Sequence, residues 1–370
     1  MRVLVVGGGI GGMSTAIALR QQGHAVDLVD LDPQWRVYGA GITITGATLR
    51  AFQALGVLPE IMELAYTGNG IQVCDTSGQR IALLPTAPME DADVPGTGGI
   101  MRPVLHGILS RKTRALGTQV RLGLTVDRLD DEGDTVRAAF SDGTSGSYDL
   151  LVGADGLFSR VRTLLFPDAP VPEYTGQCVW RVVAPRPDTI DRRHFFLGGP
   201  VKVGLTPVSR EEMYMFVLET TPQHPVLPDD VLPGALARLL QGYGGVLKDV
   251  REGLGPQSRI IVRPLQAFEL PPPWSRGRCL LIGDAAHPTT PQLASGAGMA
   301  VEDALVLGDE IGRADSVAQA FAGFMARRYE RCRLVVENSL EIGRREQRRA
   351  PIEEQTRLVE ESLRVLARPI

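Results

Sequence analysis

Three glycines near the start of the chain have the types and spacing of a phosphate-binding turn. Gly7, Gly9 and Gly12 form a Gly-x-Gly-x-x-Gly pattern between a strand-like run at 2–6 and a helical pattern at 13–22. The first glycine permits a tight turn, the second lets the backbone approach a pyrophosphate, and the third lets the helix pack closely on the strand. The positive end of the helix then faces the anion. The pattern predicts a dinucleotide site, and alone it does not separate FAD from NAD.

An acidic residue follows where such a site needs one. Asp30 ends the second strand-like run, 18 residues after Gly12, where its carboxylate can accept hydrogen bonds from a ribose. A plain tight turn could also use glycines, but it would not require the strand, turn, helix, strand and acid in this order. We therefore favour the nucleotide-binding interpretation.

A second acidic residue, Asp155, follows another apolar run in the segment LLVGADGLFSRVR at 150–162. Taken alone, it could simply form a turn or a helix cap. Ser159, Arg160 and Arg162 follow in the next turn, and these side chains suit contact with a polar or anionic group. Taken without the third segment, described next, this segment is compatible with both a structural turn and a ligand-binding turn.

The third segment, GDAAHPTTPQLASGAGMAVEDA at 283–304, joins an acid to a run of small residues. Gly283 and Asp284 could be an ordinary strand end, but the carboxylate is placed to bind a hydroxylated chain. Gly296 and Gly298 open a helix whose free N–H groups can stabilise a negatively charged ring. We interpret this segment as the cradle for the isoalloxazine end of a flavin.

These turns need a parallel sheet to position them, and short β-α-β connections predict an α/β fold. After about residue 172, strand-like segments separated by proline and glycine predict a second sheet. The expected fold is a Rossmann-like FAD-binding domain with a parallel sheet, a discontinuous β-sheet substrate domain and C-terminal helices. The expected ranges are 1–70, 101–170 and 275–345 for the FAD-binding domain, 71–100 and 171–274 for the substrate domain, and 346–370 for the C-terminal helix.

Three shorter segments carry their own structural expectations. The alternating residues at 119–148 predict a small meander with a turn at Asp142 and Gly143. The residues at 193–205 are expected to form one strand-like segment. The proline-rich residues at 225–234 are expected to form a loop that leads into a helix.

Composition excludes several classes of partner. The chain has 370 residues, 44% of them hydrophobic and 22% charged, with a net charge of −4, so a nucleic-acid partner is not expected. Its four cysteines form no C-x-x-C pair, which argues against disulfides and metal sites and fits a reducing cytoplasm. We find no signal-peptide pattern and no apolar run of about 18 residues, so no membrane span is expected.

The three segments, in this order, resemble the flavoprotein monooxygenases of the p-hydroxybenzoate hydroxylase type, the class A aromatic hydroxylases. GAGITI at 39–44, RPVLHGIL at 102–109 and WSRGRCLLIGDAAHPTTP at 274–291 are also similar to that family. The resemblance extends to about residue 345. The family often has a tyrosine before the proline of the substrate-sheet strand, whereas this chain has Thr206 before Pro207.

The resemblance implies a set of cofactor-binding residues. Gly7, Gly9 and Gly12 would hold the FAD pyrophosphate, and Asp30 would hold the adenosine ribose. Arg102 would contact the FAD chain, and Val126 would lie beside the adenine. The residues implied for the rest of the cofactor are Asp155, Gly283, Asp284, Pro291, Gly296, Ala297 and Gly298.

The resemblance also implies the reaction. NADH or NADPH would dock transiently and reduce FAD, and the reduced flavin and O2 would form a C4a-hydroperoxide. Its distal oxygen would be transferred to a small aromatic or heteroaromatic substrate. Such a site must exclude bulk water, and a base that deprotonates a phenol would help.

Four residues are candidates for contact with the substrate or for catalysis. His287 could be an acid or base in the flavin loop, or a structural histidine bonded to the backbone. Arg181 could bind a carboxylate, or it could form an internal ion pair. Tyr214 could line the pocket or belong to the sheet core, and Thr206 is a possible polar contact.

Several other functions remain open at this point. A reductase or dehydrogenase of the same fold, or a flavoprotein that binds a ligand without turnover, would carry the same three segments. A flavin halogenase would need a Trp-x-Trp-x-Ile motif, but Trp35, Trp180 and Trp274 are isolated. A monomer and a homodimer are both compatible with the amphipathic C-terminal helices.

Overall fold

The computed structural model describes residues 1–37, 39–224 and 226–370. The strands of these residues are, in chain order, β1 (Arg2–Val6), β2 (Ala25–Asp30), β3 (Gly41–Thr45), β4 (Tyr66–Gly68), β5 (Ile71–Cys74), β6 (Arg80–Leu84), β7 (Thr97–Met101), β8 (Gln119–Leu122), β9 (Val126–Asp131), β10 (Val136–Phe140), β11 (Ser145–Tyr148), β12 (Leu150–Gly153), β13 (Glu173–Pro185), β14 (Arg193–Phe196), β15 (Lys202–Pro207), β16 (Glu212–Thr220), β17 (Ile261–Ala267), β18 (Ser275–Arg276) and β19 (Cys279–Leu281). The α-helices are α1 (Ile10–Gln21), α2 (Gly46–Ala54), α3 (Leu58–Leu64), α4 (Arg102–Ala115), α5 (Arg160–Leu165), α6 (Leu232–Leu239), α7 (Val246–Glu252), α8 (Gly296–Arg313), α9 (Val317–Gln347) and α10 (Ile352–Leu366).

A six-stranded sheet in the order β18-β19-β12-β1-β2-β8 forms the base of the molecule. All neighbours are parallel except β18 and β19. Its inner strands are almost wholly apolar and buried, as expected for a sheet covered on both faces. Because parallel strands end at the same edge, the glycine turn after β1, Asp30 at the end of β2, Asp155 after β12 and Asp284 after β19 all lie along one edge.

A seven-stranded sheet in the order β17-β13-β16-β15-β14-β5-β6 lies beyond this edge. Its side chains alternate between two environments, as the period of two in a strand requires. Trp180, Val203 and Met215 belong to a core shared with residues of α6 and α7. Their neighbours along the strands, such as Arg181 and Tyr214, point to the other face. The second sheet therefore presents a polar and aromatic face to a cavity.

Two three-stranded sheets complete the β structure. One has the order β11-β10-β9 and the other β3-β7-β4. Residues 97–100, which the sequence analysis grouped with the substrate domain, pair with β3 and β4. Strands β5 and β6, from the same expected range, lie in the seven-stranded sheet.

Two local expectations were wrong. The residues at 119–122 do not belong to a meander but form β8, a parallel edge strand, because Val120 and Leu122 pack against the main core. The segment at 193–205 is two strands, because the chain reverses near Gly198, whose φ is +85°. A meander does form over 126–148.

The expected loop at 225–234 is only partly described. Pro225 lies outside the described residues. From Asp229 to Val231 the chain forms a 3-10 turn that continues directly into α6.

The C-terminal helices close one side of the molecule. α8 packs on α1 and α2, α9 packs on α8, and α10 packs on α9. Arg50 donates to the carbonyl oxygens of Leu366, Ala367 and Arg368, and Arg331 also donates to that of Leu366. These bonds satisfy carbonyls at the C-terminal end of α10, where orphan acceptors are otherwise left. These bonds anchor the C-terminal end of α10 to α2 and α9.

Candidate active site

The glycine turn after β1 is shaped to receive an anion. Gly7 has a φ of +105°, which favours glycine, and a Cβ on Gly12 would overlap the carbonyl oxygen of Gly7. Apart from Gly9 itself and its two chain neighbours, no heavy atom of the described residues lies within 4 Å of the position that a Cβ on Gly9 would take. α1 begins directly after Gly9, which has no side chain to cap it. The first N–H groups of the helix are therefore free for a ligand.

Asp30 braces this turn. Its Oδ2 accepts a hydrogen bond from the N–H of Gly8 at 2.7 Å, and its Oδ1 accepts one from Asp32 at 2.8 Å. The indole of Trp35 donates to the carbonyl of Gly8 at 2.9 Å. Val126, at the start of β9, is fully buried in the main core. The turn is therefore held in place from the end of β2.

Asp155 organises the second acidic turn. It accepts hydrogen bonds from the hydroxyl of Ser159 at 2.5 Å and from the N–H of Val161 at 3.0 Å. Burial raises its pKa, although these hydrogen bonds act against the increase. Arg162, in the helix that follows, donates to the carbonyl of Ala285 at 3.0 Å. This bond ties the second turn to the third.

The third turn presents a carboxylate to open space. Gly283 has a φ of +55° and donates its N–H to Asp303 Oδ2 at 2.9 Å. The Asp284 side chain is exposed to the solvent of the cleft. Desolvation by the surrounding walls raises its pKa, and the charges of His287 and Arg102 partly offset this. Asp284 is therefore available to a polar ligand.

The start of α8 forms the other side of the third turn. The chain makes a 3-10 turn from Pro291, and Ala294 then adopts the left-handed conformation with a φ of +51°. The hydroxyl of Ser295 donates to a carbonyl two residues earlier, so it does not cap α8. A Cβ on Gly298 would overlap the hydroxyl of Thr48, which explains the close packing of α8 on α2. The first N–H groups of α8 therefore stay free.

His287 lies behind this turn and does not line the cavity that the turns surround. Its Nε2 lies 2.7 Å from Asp303 Oδ2, and its ring centroid lies 5.0 Å from that of Trp274 with the two rings tilted by 39°. Asp303 Oδ1 in turn accepts a hydrogen bond from Arg328 Nε at 2.7 Å. Arg328 also contacts Glu302 at 2.7 Å, and all three of these charged side chains are fully buried. The contacts of His287 fit a residue that positions the flavin loop.

The ion pair between His287 and Asp303 predicts a pH-dependent contribution to stability. Burial lowers the pKa of His287, but nearby Cys332 and Asp303 outweigh it and raise the pKa well above its usual value. The pair therefore stabilises fully below about pH 6.5 and is lost as the pH rises through the folded pKa. The pKa of Asp303 is lowered, despite burial, by His287 and Arg328, so its contribution persists above about pH 4.

We therefore expect His287→Asn to lower the free energy of unfolding more at pH 6 than at pH 9, as measured by urea unfolding. His24→Asn is the control, because burial and then the N-terminal ammonium lower the pKa of His24. His24→Asn should therefore lower the free energy of unfolding more at pH 9 than at pH 6. An equal loss for His287→Asn at both pH values would contradict the assigned ion pair.

The same cluster has the spacing of a metal site. Ligand atoms of His287, Asp303 and Cys332 lie within 4.8 Å of one another. Arg328 already supplies positive charge there, since it contacts Asp303 at 2.7 Å and the sulfur of Cys332 at 3.4 Å. We therefore propose no metal at this position.

The turns and the seven-stranded sheet enclose a cavity of about 430 Å³, here called the inner cavity. Several residues expected from the sequence are brought together in its wall. These are Gly9, Arg102, Arg181, Tyr214, Gly283, Asp284, Pro291, Gly296 and Ala297. The other expected residues do not line this cavity, and they are Gly7, Gly12, Asp30, Val126, Asp155, Thr206, His287 and Gly298.

The sheet side of the inner cavity carries linked polar groups. Arg181 Nε donates to the hydroxyl of Tyr214 at 3.0 Å, and the Tyr214 ring lies 6.1 Å from that of Phe216. Thr206 is buried, and its hydroxyl lies 3.2 Å from that of Thr43, which lines the cavity. Thr206 therefore contacts the cavity wall through Thr43 and does not line the cavity itself.

Arg102 lies between the sheet and the third turn. Desolvation lowers its pKa, and the charge of Arg181 adds to this effect. Its side chain passes so close to Gly39 that a Cβ there would overlap Arg102 Cδ. The inner cavity thus brings two cations close together, which favours an anionic ligand.

Among the lining side chains that were not predicted from the sequence are Arg193, Phe195 and Lys202. The guanidinium of Arg193 and the ammonium of Lys202 each lie 5.2 Å from the centroid of the Phe195 ring. For Arg193 and Phe195 the sequence signal is their alternate positions along β14, which put both side chains on one face of the sheet. Reading 193–205 as one strand obscured this alternation.

All four cysteines are buried free thiols. In the part of the chain that the structure describes, no helix has both the length and the apolar character to span a membrane.

Comparison with known proteins identifies the family. Residues 1–316 match the family model described as the FAD binding domain. The chain belongs to this family, and within it to the FAD-dependent monooxygenases of the class A aromatic hydroxylase type. It is 31% identical to aurachin C monooxygenase/isomerase of Stigmatella aurantiaca, over 93% of this chain and 89% of the relative. It is 30% identical to FAD-dependent urate hydroxylase of Klebsiella pneumoniae, over 91% of this chain and 88% of the relative.

A solved structure agrees with this assignment. HpxO of Klebsiella pneumoniae, complexed with FAD and uric acid, superposes with a TM-score of 0.84 at 27% identity, over 99% of this chain and 93% of that chain. The protein is therefore a FAD-binding flavoenzyme of the monooxygenase type. The free helix N-termini and the open face of Gly9 fit that cofactor.

Proposed function

We propose that the protein hydroxylates a small aromatic or heteroaromatic compound, using NADH or NADPH and O2. The observation that carries the proposal is the inner cavity, where the flavin-loop residues face a sheet with cationic and aromatic side chains. The chemistry that bound FAD supplies is transfer of two electrons from the nicotinamide to O2, with one oxygen atom inserted into the substrate and the other released as water.

The residues of the chain would bind the cofactor as follows. The N-terminus of α1 would receive the pyrophosphate, and Asp30 would lie near the ribose while it braces the glycine turn. Arg102 and Asp284 would contact the chain between the two ends. The free N–H groups of α8 would face the ring.

The sheet would bind and orient the substrate. The Tyr214 hydroxyl accepts a hydrogen bond from Arg181, so its own hydrogen is free to be donated to an oxygen or ring nitrogen of the substrate. The positive charge of Arg181 makes that hydroxyl a better donor and favours the ionised form of a phenol. Such a phenolate is the more reactive substrate for an electrophilic oxygen.

Steady-state turnover tests the proposed function. The FAD-loaded protein is supplied with NADH or NADPH and a panel of phenols, aromatic acids and hydroxylated N-heterocycles, while oxygen uptake and product mass are followed. We expect a ligand that accelerates oxidation and gains one oxygen atom. Substrate reduction or oxidation without oxygen insertion would instead indicate a reductase or dehydrogenase. Binding without turnover would indicate a ligand-binding flavoprotein.

Tyr214→Phe should lower kcat/KM for the best substrate about tenfold, because one hydrogen bond to the substrate is removed. Tyr174→Phe is the matched control, since its hydroxyl donates to the carbonyl of Thr221 away from the cavity. An unchanged kcat/KM in Tyr214→Phe would show that the hydroxyl does not contact the substrate.

We also infer a cytoplasmic monomer or homodimer. Free thiols and the need for NAD(P)H support the location. Leu358, Val359, Leu363 and Leu366 of α10 pack against the main core, which leaves less apolar surface on that helix for a second copy. Light scattering would give the assembly state directly.

A further inference from the structure

A second and larger cavity adjoins the inner one. It has a volume of about 1050 Å³ and is here called the outer cavity. One wall is the sheet, including Ile71 and Val73, and the opposite wall is α10, including Val359 and Leu363. Pockets of about 300–1,000 Å³ hold drug-sized ligands, so the outer cavity is large enough for a ligand of its own.

The two cavities meet at four residues, here called the neck, that line both of them. They are Arg193, Phe195, Lys202 and Leu218. Residues expected beside the flavin ring, such as Pro291, Gly296 and Ala297, line the inner cavity, so the flavin ring and the reacting ring would share its smaller volume. Any further part of the substrate would extend through the neck into the outer cavity.

Arg193 is the unusual member of the neck. Its side chain is buried, and among residues 1–37, 39–224 and 226–370 no carboxylate oxygen lies within 4.0 Å of its nitrogens. One terminal nitrogen donates to the hydroxyl of Thr97 at 3.4 Å, and Nε has no hydrogen-bond partner in the described residues. Burial lowers its pKa to about 10, so it is still charged at neutral pH.

The other charged side chain of the neck is already paired. Lys202 Nζ donates to Glu346 Oε1 at 2.6 Å. Gln177 and Gln292 donate to the second oxygen of the same carboxylate, at 3.3 and 3.2 Å. A buried unpaired cation is unfavourable unless a ligand supplies the opposite charge. Arg193 is therefore the free anion-binding group of the neck.

We propose that the substrate is an acidic aromatic compound with a long apolar substituent. Its ring lies in the inner cavity, its anionic oxygen binds Arg193 at the neck, and its substituent fills the outer cavity between the sheet and α10. This proposal rests on the proposed function, because it names the substrate class of the same site.

The test uses salicylate and 6-alkylsalicylates with chains of increasing length, with the matching 3-alkylphenols as neutral analogues. Binding to the FAD-loaded protein is measured by equilibrium dialysis. We expect Kd to fall about two- to fourfold for each methylene that enters the outer cavity. The carboxylates should bind at least about tenfold more tightly than the phenols, because one charged hydrogen bond is lost in the latter.

Two variants separate the parts of the proposal. Val359→Trp fills the outer cavity and should abolish the gain with chain length while salicylate binds as before. Arg193→Gln should abolish the preference for carboxylates and leave the gain with chain length. Val231→Trp and Arg313→Gln, at exposed positions, are the controls. FAD content and Tm report folding, and Leu363→Trp replaces Val359→Trp if the latter is unstable.

The outcomes distinguish this proposal from the proposed function. A Kd that does not depend on chain length, no binding at any chain length, or an unchanged chain-length gain in the folded outer-cavity variant (Val359→Trp or its replacement Leu363→Trp) would overturn it. Hydroxylation of some aromatic compound alongside such a result would leave the proposed function intact. Chain-length-dependent binding without any oxygenated product would support the assigned ligand and refute the proposed function.

Discussion

Arg328→Met is expected to lower the free energy of unfolding by about 3–5 kcal/mol, because it removes one partner of a buried ion pair. Arg328, Glu302 and Asp303 are fully buried, and the guanidinium donates to both carboxylates at 2.7 Å. Without it, Asp303 retains, among the described residues, His287, the N–H of Gly283 and the thiol of Cys332 at 3.8 Å. The change would leave the buried carboxylate of Asp303 with less positive charge beside it, whereas Glu302 keeps its ion pair with Arg331.

Urea unfolding of the FAD-free protein measures this effect. Arg313→Met is the control, because Arg313 makes comparable ion pairs at the surface, where exposed pairs contribute little. Since Asp303 also holds the flavin loop at Gly283, Arg328→Met should weaken FAD binding as well. A loss of stability no larger than that of Arg313→Met would show that the buried network does not stabilise the fold.

Gly9→Val is expected to weaken FAD binding about a hundredfold, which corresponds to about 3 kcal/mol of steric conflict. Its side chain would enter the space beside the N-terminus of α1, where the pyrophosphate is expected. The protein without FAD should tolerate the change, because that space is free of described atoms and the backbone is extended. The contrast between lost FAD binding and retained stability is the expected result.

Two other glycines serve as comparisons for Gly9. Gly68→Val, in β4, also introduces a side chain into space free of described atoms, but it lies away from both cavities and should bind FAD normally. Gly12→Ala should destabilise the fold itself, since its Cβ would overlap the carbonyl of Gly7. Normal FAD affinity in Gly9→Val would contradict the position assigned to the cofactor.

The parts of the fold that follow from short-range patterns could be predicted from the sequence. The glycine turn and the acids at 30, 155 and 284 each follow an apolar strand, and parallel strands bring their ends to one edge. The alternation along β13 and β16 likewise predicts that Arg181 and Tyr214 share a face, because paired antiparallel strands align their side chains.

Contacts between distant segments could not be predicted in this way. His287 pairs with Asp303 in α8, and Arg328 reaches the same carboxylate from α9. Lys202 finds its partner in Glu346, which is 144 residues away. Such pairs depend on how the helices pack on the sheet. The spacing of residues within one helix or strand does not determine that packing. That Arg193 lacks a carboxylate partner among the described residues can be recognised only from the three-dimensional positions of its neighbours.

Oxygen isotope labelling tests the central claim most directly. The FAD-loaded protein, NADH or NADPH and the best-binding aromatic ligand are incubated under ¹⁸O2, and the ligand is analysed by mass spectrometry. We expect one ¹⁸O atom on the ring of the product, in an amount that matches the NAD(P)H consumed. Ligand-stimulated NAD(P)H oxidation that yields unlabelled ligand and hydrogen peroxide, across the whole substrate panel, would contradict the assignment of the inner cavity as a site of aromatic hydroxylation.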